Sequence, residues 1–232
     1  MPLRACREHA RDPALRGGRH GARARLPERS LLRALLLVRH AHARSNVSDR
    51  VSSKPPGEGL SEQGVAEALG LRETLAHADV GLGVATPLLR TQETLELALG
   101  GRDVERVVSR GLGEIDFGSF EGGPLADYRE WAWANAPDAP CPGGGESRIE
   151  AAARFAAALD TLLERPEGVV LAVSHALPIR HVLEAAQGRF PPARIGNVPH
   201  ATPHALDAEA VALAAETLRA WASAPRFADL PG

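Results

Sequence analysis

The chain has 232 residues, 44% of them hydrophobic and 24% charged, with a formal net charge of −2. That length buries one core, the composition is too apolar for a disordered protein, and no apolar stretch approaches a membrane span. Cys6 and Cys141 are too few and too far apart for a disulfide framework or a cysteine-rich metal site, so a reducing cytoplasm is the expected setting.

Charge is uneven along the chain. Through Val38, nine arginines face Glu8, Asp12 and Glu28, a formal +6 that leaves −8 on the remainder. An acidic body does not suit a general nucleic-acid binder. Residues 1–30, rich in Arg, Gly and Pro, are expected to form a disordered leader, with 31–232 as the folded domain. The leader lacks a secretory apolar stretch with a cleavage site and is read as functionally silent; a tail for anionic partners or a targeting segment are the alternatives.

Leu35 to Val38 reads as a buried first strand that stops at Arg39-His40, and 41–60 as a long polar loop around Lys54-Pro55-Pro56-Gly57. Ser61 is placed to cap a helix carrying Val65, Ala68, Leu69 and Leu75. Val80 to Ala85 is a short strand, and Thr86-Pro87 has the pattern of an N-cap followed by an N1 proline, opening a helix that ends at Gly100-Gly101. Val104 to Val108 is the next strand, before a glycine-punctuated loop over 111–123.

Tyr128, Trp131 and Trp133 fall on a small lid or side helix. Ser147 and Glu150 have capping-box spacing ahead of a helix whose apolar face is Ile149, Ala152, Phe155, Ala156, Leu159, Leu162 and Leu163. Val169 to Val173 is a strand that reaches His175, with Pro178 near the start of another helix. Thr202 to Leu206 and Val211 to Ala214 are expected to form a short hairpin or edge pair, and 215–224 a last helix. This alternation predicts an α/β domain, a three-layer α/β/α sandwich with a mostly parallel central sheet.

Ligands of such sheets lie beyond the carboxyl ends of the strands. His40, Arg39, Arg90, Glu114 and His175 are all expected there. Two guanidiniums can clamp a phosphate, a neutral imidazole can attack phosphorus, and a carboxylic acid can protonate the departing oxygen. Taken singly, each residue has a plainer reading, as a polar cap on the core or a solvated surface charge. The phosphoryl-transfer reading therefore depends on their convergence. The pair His40 and His42, with His175, His200 or His204, offers a zinc site as an alternative, which Arg39 opposes electrostatically. Asn197 and the 200–204 segment are placed to approach the pocket late in the chain.

Five ordered blocks resemble the histidine phosphatase superfamily, which contains the phosphoglycerate mutase-like enzymes. They are Leu37-Val38-Arg39-His40-Ala41 with Asn46, Gly59 to Gly64, Ala85 to Thr94, Leu112 to Gly122, and Val173-Ser174-His175-Ala176. The resemblance runs from about Leu35 to Val211 and implies a phosphoglycerate mutase-like fold. It implies that His40 carries the phosphoryl group, that Arg39, Arg90 and His175 complete the phosphate pocket with Asn46 near its rim, and that Glu114 is the proton donor. No metal or other cofactor is implied.

Ala41 and Ala176 stand where glycine is frequent, which is harmless if their φ is negative. His42 stands where the family often has glutamate, and with Arg44 it suggests a substrate bearing a second negative group. Tyr128 and Trp131 are further specificity candidates, as an apolar wall for the alcohol portion. The short stretch between Glu114 and His175 favours a phosphatase over a mutase. The expected partner is a small-molecule phosphomonoester, with no nucleic acid or membrane involved; the oligomeric state is left open.

Overall fold

The computed structural model describes residues 31–228, so the expected leader at 1–30 lies outside the described residues. Its elements in chain order are β1 (Ala34–Arg39), α1 (Arg44–Val47), α2 (Glu62–Thr74), β2 (Leu82–Ala85), α3 (Leu89–Leu99), β3 (Glu105–Val108), α4 (Leu125–Ala134), α5 (Arg148–Leu163), β4 (Val169–Ser174), α6 (Ala176–Ala185), β5 (Pro203–Leu206) and α7 (Ala208–Ser223). A short 3-10 turn, Gly118–Phe120, lies in the loop before α4.

The five strands form one sheet in the order β3-β2-β4-β1-β5. All neighbours are parallel except β5, which runs antiparallel along the edge of β1. Strands covered on both faces need apolar residues in both phases of the pleat, and β1 and β4 have them. Leu35, Leu37, Val170 and Ala172 join the core beneath α5, α6 and α7, whereas Val38, Leu171 and Val173 join the core beneath α2 and α3. The sandwich is thus the expected three-layer α/β/α fold.

Helix ends follow local chemistry. Ser61 accepts from Gly64 N at α2, and Asp207 accepts from Ala210 N at α7. Ser147 and Glu150 form a reciprocal capping box that opens α5. The α3 helix ends at Gly100 with φ +56°, a left-handed backbone that glycine adopts without a Cβ clash.

Two expectations are corrected. Thr86 does not cap α3, which begins at Leu89 with Leu88 as N-cap and no side-chain cap bond. The Thr86 hydroxyl is instead taken up by Thr91 and His175. Val211 to Ala214 is not a strand but the second turn of α7, so β5 pairs with β1 alone. An alanine-rich apolar run reads equally as strand or buried helix, and packing of Val211, Ala214, Ala215 and Leu218 against α5 and α6 decides for helix.

Candidate active site

Parallel pairing of β1 with β4 sets Arg39 opposite Ser174, and the ladder continues as His40 N donates to Ser174 O at 2.9 Å. The next residue on each strand is a histidine, so backbone register alone brings the rings of His40 and His175 to a centroid distance of 5.3 Å. Both side chains are buried. Arg90 enters from the first turn of α3 and lies between them: its Nε donates to His40 Nε2 at 3.2 Å and its Nη2 to His175 Nδ1 at 3.3 Å.

These contacts fix both tautomers. A guanidinium only donates, so the ring nitrogens it faces are unprotonated. His40 therefore carries its proton on Nδ1, which donates to Ala41 O at 2.8 Å, and presents the Nε2 lone pair to the site. His175 carries its proton on Nε2, which donates to Thr86 Oγ1 at 3.0 Å. The Thr86 hydroxyl passes on to Thr91 Oγ1 at 2.9 Å, and Thr91 donates to Leu88 O at 2.7 Å. Burial, reinforced by Arg90, pushes both imidazoles well below the usual histidine range, so both are neutral.

The backbone around His40 is held from several sides. Ala41 N donates to Thr94 Oγ1 at 3.0 Å, and His200 Nδ1 donates to His40 O at 2.7 Å. Ser174 Oγ donates to Leu112 O at 2.6 Å, tying the end of β4 to the loop that carries Glu114. Glu114 Oε1 accepts from Ile115 N at 3.1 Å, and burial raises the carboxyl above its ordinary value against the opposing pull of Arg90 and Arg39.

Arg39 spends Nη1 on Val198 O at 2.7 Å, while its Nε and Arg90 Nη1 are buried without a hydrogen-bond partner among the described residues. Both residues line a cavity of about 220 Å³ together with His40 and Glu114. Buried cationic N–H groups without an acceptor are costly unless a ligand supplies one. The arrangement suits an anion with several oxygens placed against His40 Nε2. Glu114 also borders a second cavity of about 570 Å³, lined by Ser53, Thr86 and Arg154 among others.

The sequence profile of the histidine phosphatase superfamily (branch 1) matches residues 35–211. The chain belongs to the histidine phosphatase superfamily. A probable phosphoglycerate mutase of Proteus mirabilis is 30% identical over 160 residues, spanning 66% of this chain and 74% of that protein. The mycobacterial glucosyl-3-phosphoglycerate phosphatase solved with VO3 superposes with a TM-score of 0.64 at 27% identity, over 75% of this chain and 92% of that one. The alpha-ribazole phosphatase of Shigella flexneri superposes with a TM-score of 0.63 at 25% identity, over 75% and 90%. Phosphatase and mutase-like proteins thus share this histidine phosphatase fold.

Asn46 lines the 220 Å³ cavity, and its Oδ1 accepts from Ala43 N at 2.9 Å, closing the one-turn helix α1. Tyr128 also lines it. Trp131 does not; it packs against Phe120 and Tyr128, and Trp133 takes the place at the cavity wall with Arg194 over its ring at 4.7 Å. His42 turns away towards α2, with Nδ1 2.9 Å from Ser61 Oγ, and Arg44 is exposed outside the lining. Ala41 and Ala176 have ordinary backbones, since Asp49 and Ala201 are the described non-glycine residues with positive φ.

The rings of His40 and His42 both pack against His200, at 5.4 and 5.5 Å, but they are not arranged as the zinc alternative requires. His40 Nε2 faces a guanidinium and His42 faces Ser61, and the described residues contain no group of three His, Cys, Asp or Glu side chains arranged to hold a metal. Three arginines that the motifs do not single out face the cavity: Arg50, Arg129 and Arg148. One of them leaves a trace in the sequence. Arg148 stands on the same helical stripe as Ala152, Phe155 and Leu159, a buried face on which an arginine is out of place unless it has a task.

Proposed function

We propose that this histidine phosphatase superfamily member hydrolyses small-molecule phosphomonoesters through a covalent phosphohistidine at His40, without a metal ion. The observation that carries this reading is the convergence of Arg39, Arg90 and Glu114 on one cavity against His40, whose Nε2 is deprotonated.

As Arg90 Nε turns from His40 to a phosphoryl oxygen, the lone pair it releases on Nε2 forms the P–N bond while the ester P–O bond breaks. Protonated Glu114 gives its proton to the departing alkoxide, which leaves as the alcohol. Water then attacks phosphorus, its proton passes to the Glu114 carboxylate, and the P–N electron pair returns to Nε2. Arg39 and Arg90 hold the charge on the transferring oxygens through both steps, and His175, accepting from Arg90 at Nδ1, keeps that guanidinium in place. A metal is not required for this, because the cations that neutralise the phosphate are supplied by the chain.

Hydrolysis is favoured over a mutase reaction by the compact cover. Between Glu114 and His175 the chain provides one ten-residue helix, α4, and a loop before α5 packs onto the core. A brief exposure to an aryl phosphate in EDTA, quenched and mapped, is expected to place an acid-labile phosphoryl group on His40 with phosphate released in steady state. Phosphate release without label on His40 refutes the covalent route. Rapid isomerisation of 3-phosphoglycerate primed with 2,3-bisphosphoglycerate, with negligible phosphate release, refutes hydrolysis.

A further inference from the structure

The cavity against His40 holds more positive charge than one phosphate requires. Five arginines line it, Arg39, Arg50, Arg90, Arg129 and Arg148, and Glu114 is the one carboxylate among the described lining residues. Arg39 and Arg90 are accounted for by the phosphoryl group. Arg148 is the informative remainder, because it is buried like Arg90, 6% exposed, yet has no carboxylate partner among the described ion pairs. Its Nη1 donates to Ala193 O at 2.7 Å, and its guanidinium stands 5.1 Å from the Phe227 ring, so backbone and ring fix its position without neutralising it.

Beside Arg148 is the hydroxyl of Tyr128, 4% exposed; the guanidinium faces its oxygen, and its own proton has no acceptor among the described residues. A buried cation and a buried O–H without an acceptor, on residues lining one cavity, are complementary to an anionic oxygen. Leu125, Leu177 and Ile195 supply apolar wall to the same cavity, suited to a short carbon skeleton. At about 220 Å³ the space lies below the roughly 300–1,000 Å³ of pockets for drug-sized ligands, and it suits a skeleton of a few carbons.

We infer that Arg148 and Tyr128 form a second anion subsite, and that the substrates are small phosphomonoesters whose alcohol portion carries a carboxylate or a second phosphate. This rests on the phosphatase reading for the first phosphate. It moves the selection of a second negative group away from His42 and Arg44, to residues on α4 and at the start of α5.

Binding separates the inference from turnover. In His40→Ala, which has no nucleophile, calorimetry at fixed ionic strength compares propyl phosphate, 3-phosphoglycerate and 1,3-propanediol bisphosphate. One or both doubly anionic ligands are expected to bind about tenfold or more tighter than propyl phosphate, and which of them does so distinguishes carboxylate from phosphate. Adding Arg148→Gln is expected to remove most of that preference, and adding Tyr128→Phe part of it. If Arg148→Gln fails to fold, the Tyr128→Phe protein and the preference of His40→Ala itself still decide. Equal affinity for all three ligands, or a preference unchanged in both variants, overturns the subsite. Absence of phosphohistidine in the trapping experiment overturns the phosphatase reading instead.

Discussion

His181 offers a direct test of how burial without hydrogen bonds couples stability to pH. It is fully buried in α6, with the Trp221 ring edge-on at 5.2 Å and Phe155 at 6.1 Å. Neither ring nitrogen has a hydrogen-bond partner among the described residues. Burial, with Arg148 adding to it, pushes the imidazole down to about 3. The unfolded chain, with an ordinary histidine value near 6.5, takes up a proton that the folded chain refuses. Stability is therefore intact above pH 6.5, falls as pH drops, and goes on falling until the folded value is reached.

Between pH 7 and pH 5 this one residue removes about 2 kcal/mol. The perturbation is His181→Leu, which keeps a side chain of similar size and cannot titrate. Urea unfolding of both proteins at the two pH values gives the loss in each, and titrations common to both cancel in the difference. The parent is expected to lose about 2 kcal/mol more than the variant, a gap well outside the error of paired denaturation curves. An identical loss in both proteins would mean that His181 is protonated or solvated in the folded state, and the account of its burial would be wrong.

Two further outcomes follow from the site. Thr86→Val leaves the His175 Nε2 proton without an acceptor and is expected to lower kcat by about 10–100-fold and stability by about 1–3 kcal/mol, with Thr86→Ser restoring both; nitrogen chemical shifts of the His175 ring report whether the tautomer has changed. On the pH axis, the depressed His40 remains a neutral nucleophile on the acid side, whereas the raised Glu114 loses its proton as pH climbs, so kcat/KM for an alkyl ester is expected to decline on the alkaline limb. Glu114→Gln should flatten that limb and cost about 10²–10⁴ in rate, less for a nitrophenyl ester whose leaving group needs little protonation. A limb that persists in Glu114→Gln would assign it to another group.

Much of the fold and of the site is legible in the sequence because the decisive features are local. An apolar strand that stops at Arg39-His40, a second that stops at His175, and a Ser147-Glu150 capping box each carry their own signal within a few residues. The register of β1 on β4, which makes neighbours of two histidines far apart in the chain, is consistent with that signal but is settled only by pairing. Thr86 was ambiguous for a physical reason: the same hydroxyl can cap a helix or accept from a distant imidazole, and the tertiary partner prevails. His42 and Arg44 drew attention through proximity in sequence, although the turn after β1 directs them away from the cavity. Arg50, Arg129 and Arg148 reach it from segments with no catalytic motif, and only Arg148 betrays itself by interrupting an apolar stripe.

The placement of the two histidines by strand pairing has a consequence for how this protein can change. Because successive side chains on a strand face opposite ways, a single inserted or deleted residue in β1 or β4 would exchange every inward and outward position and carry the imidazole out of the site. The reacting groups are thus indexed to the most protected amides of the molecule, those expected to exchange with solvent only on global unfolding. Variation compatible with folding is left to α4 and the start of α5, which can be rewritten without moving the nucleophile; residues 197–200 are tied to Arg39 and His40 and share their constraint. Chemistry and selectivity are inherited here on separate stretches of chain.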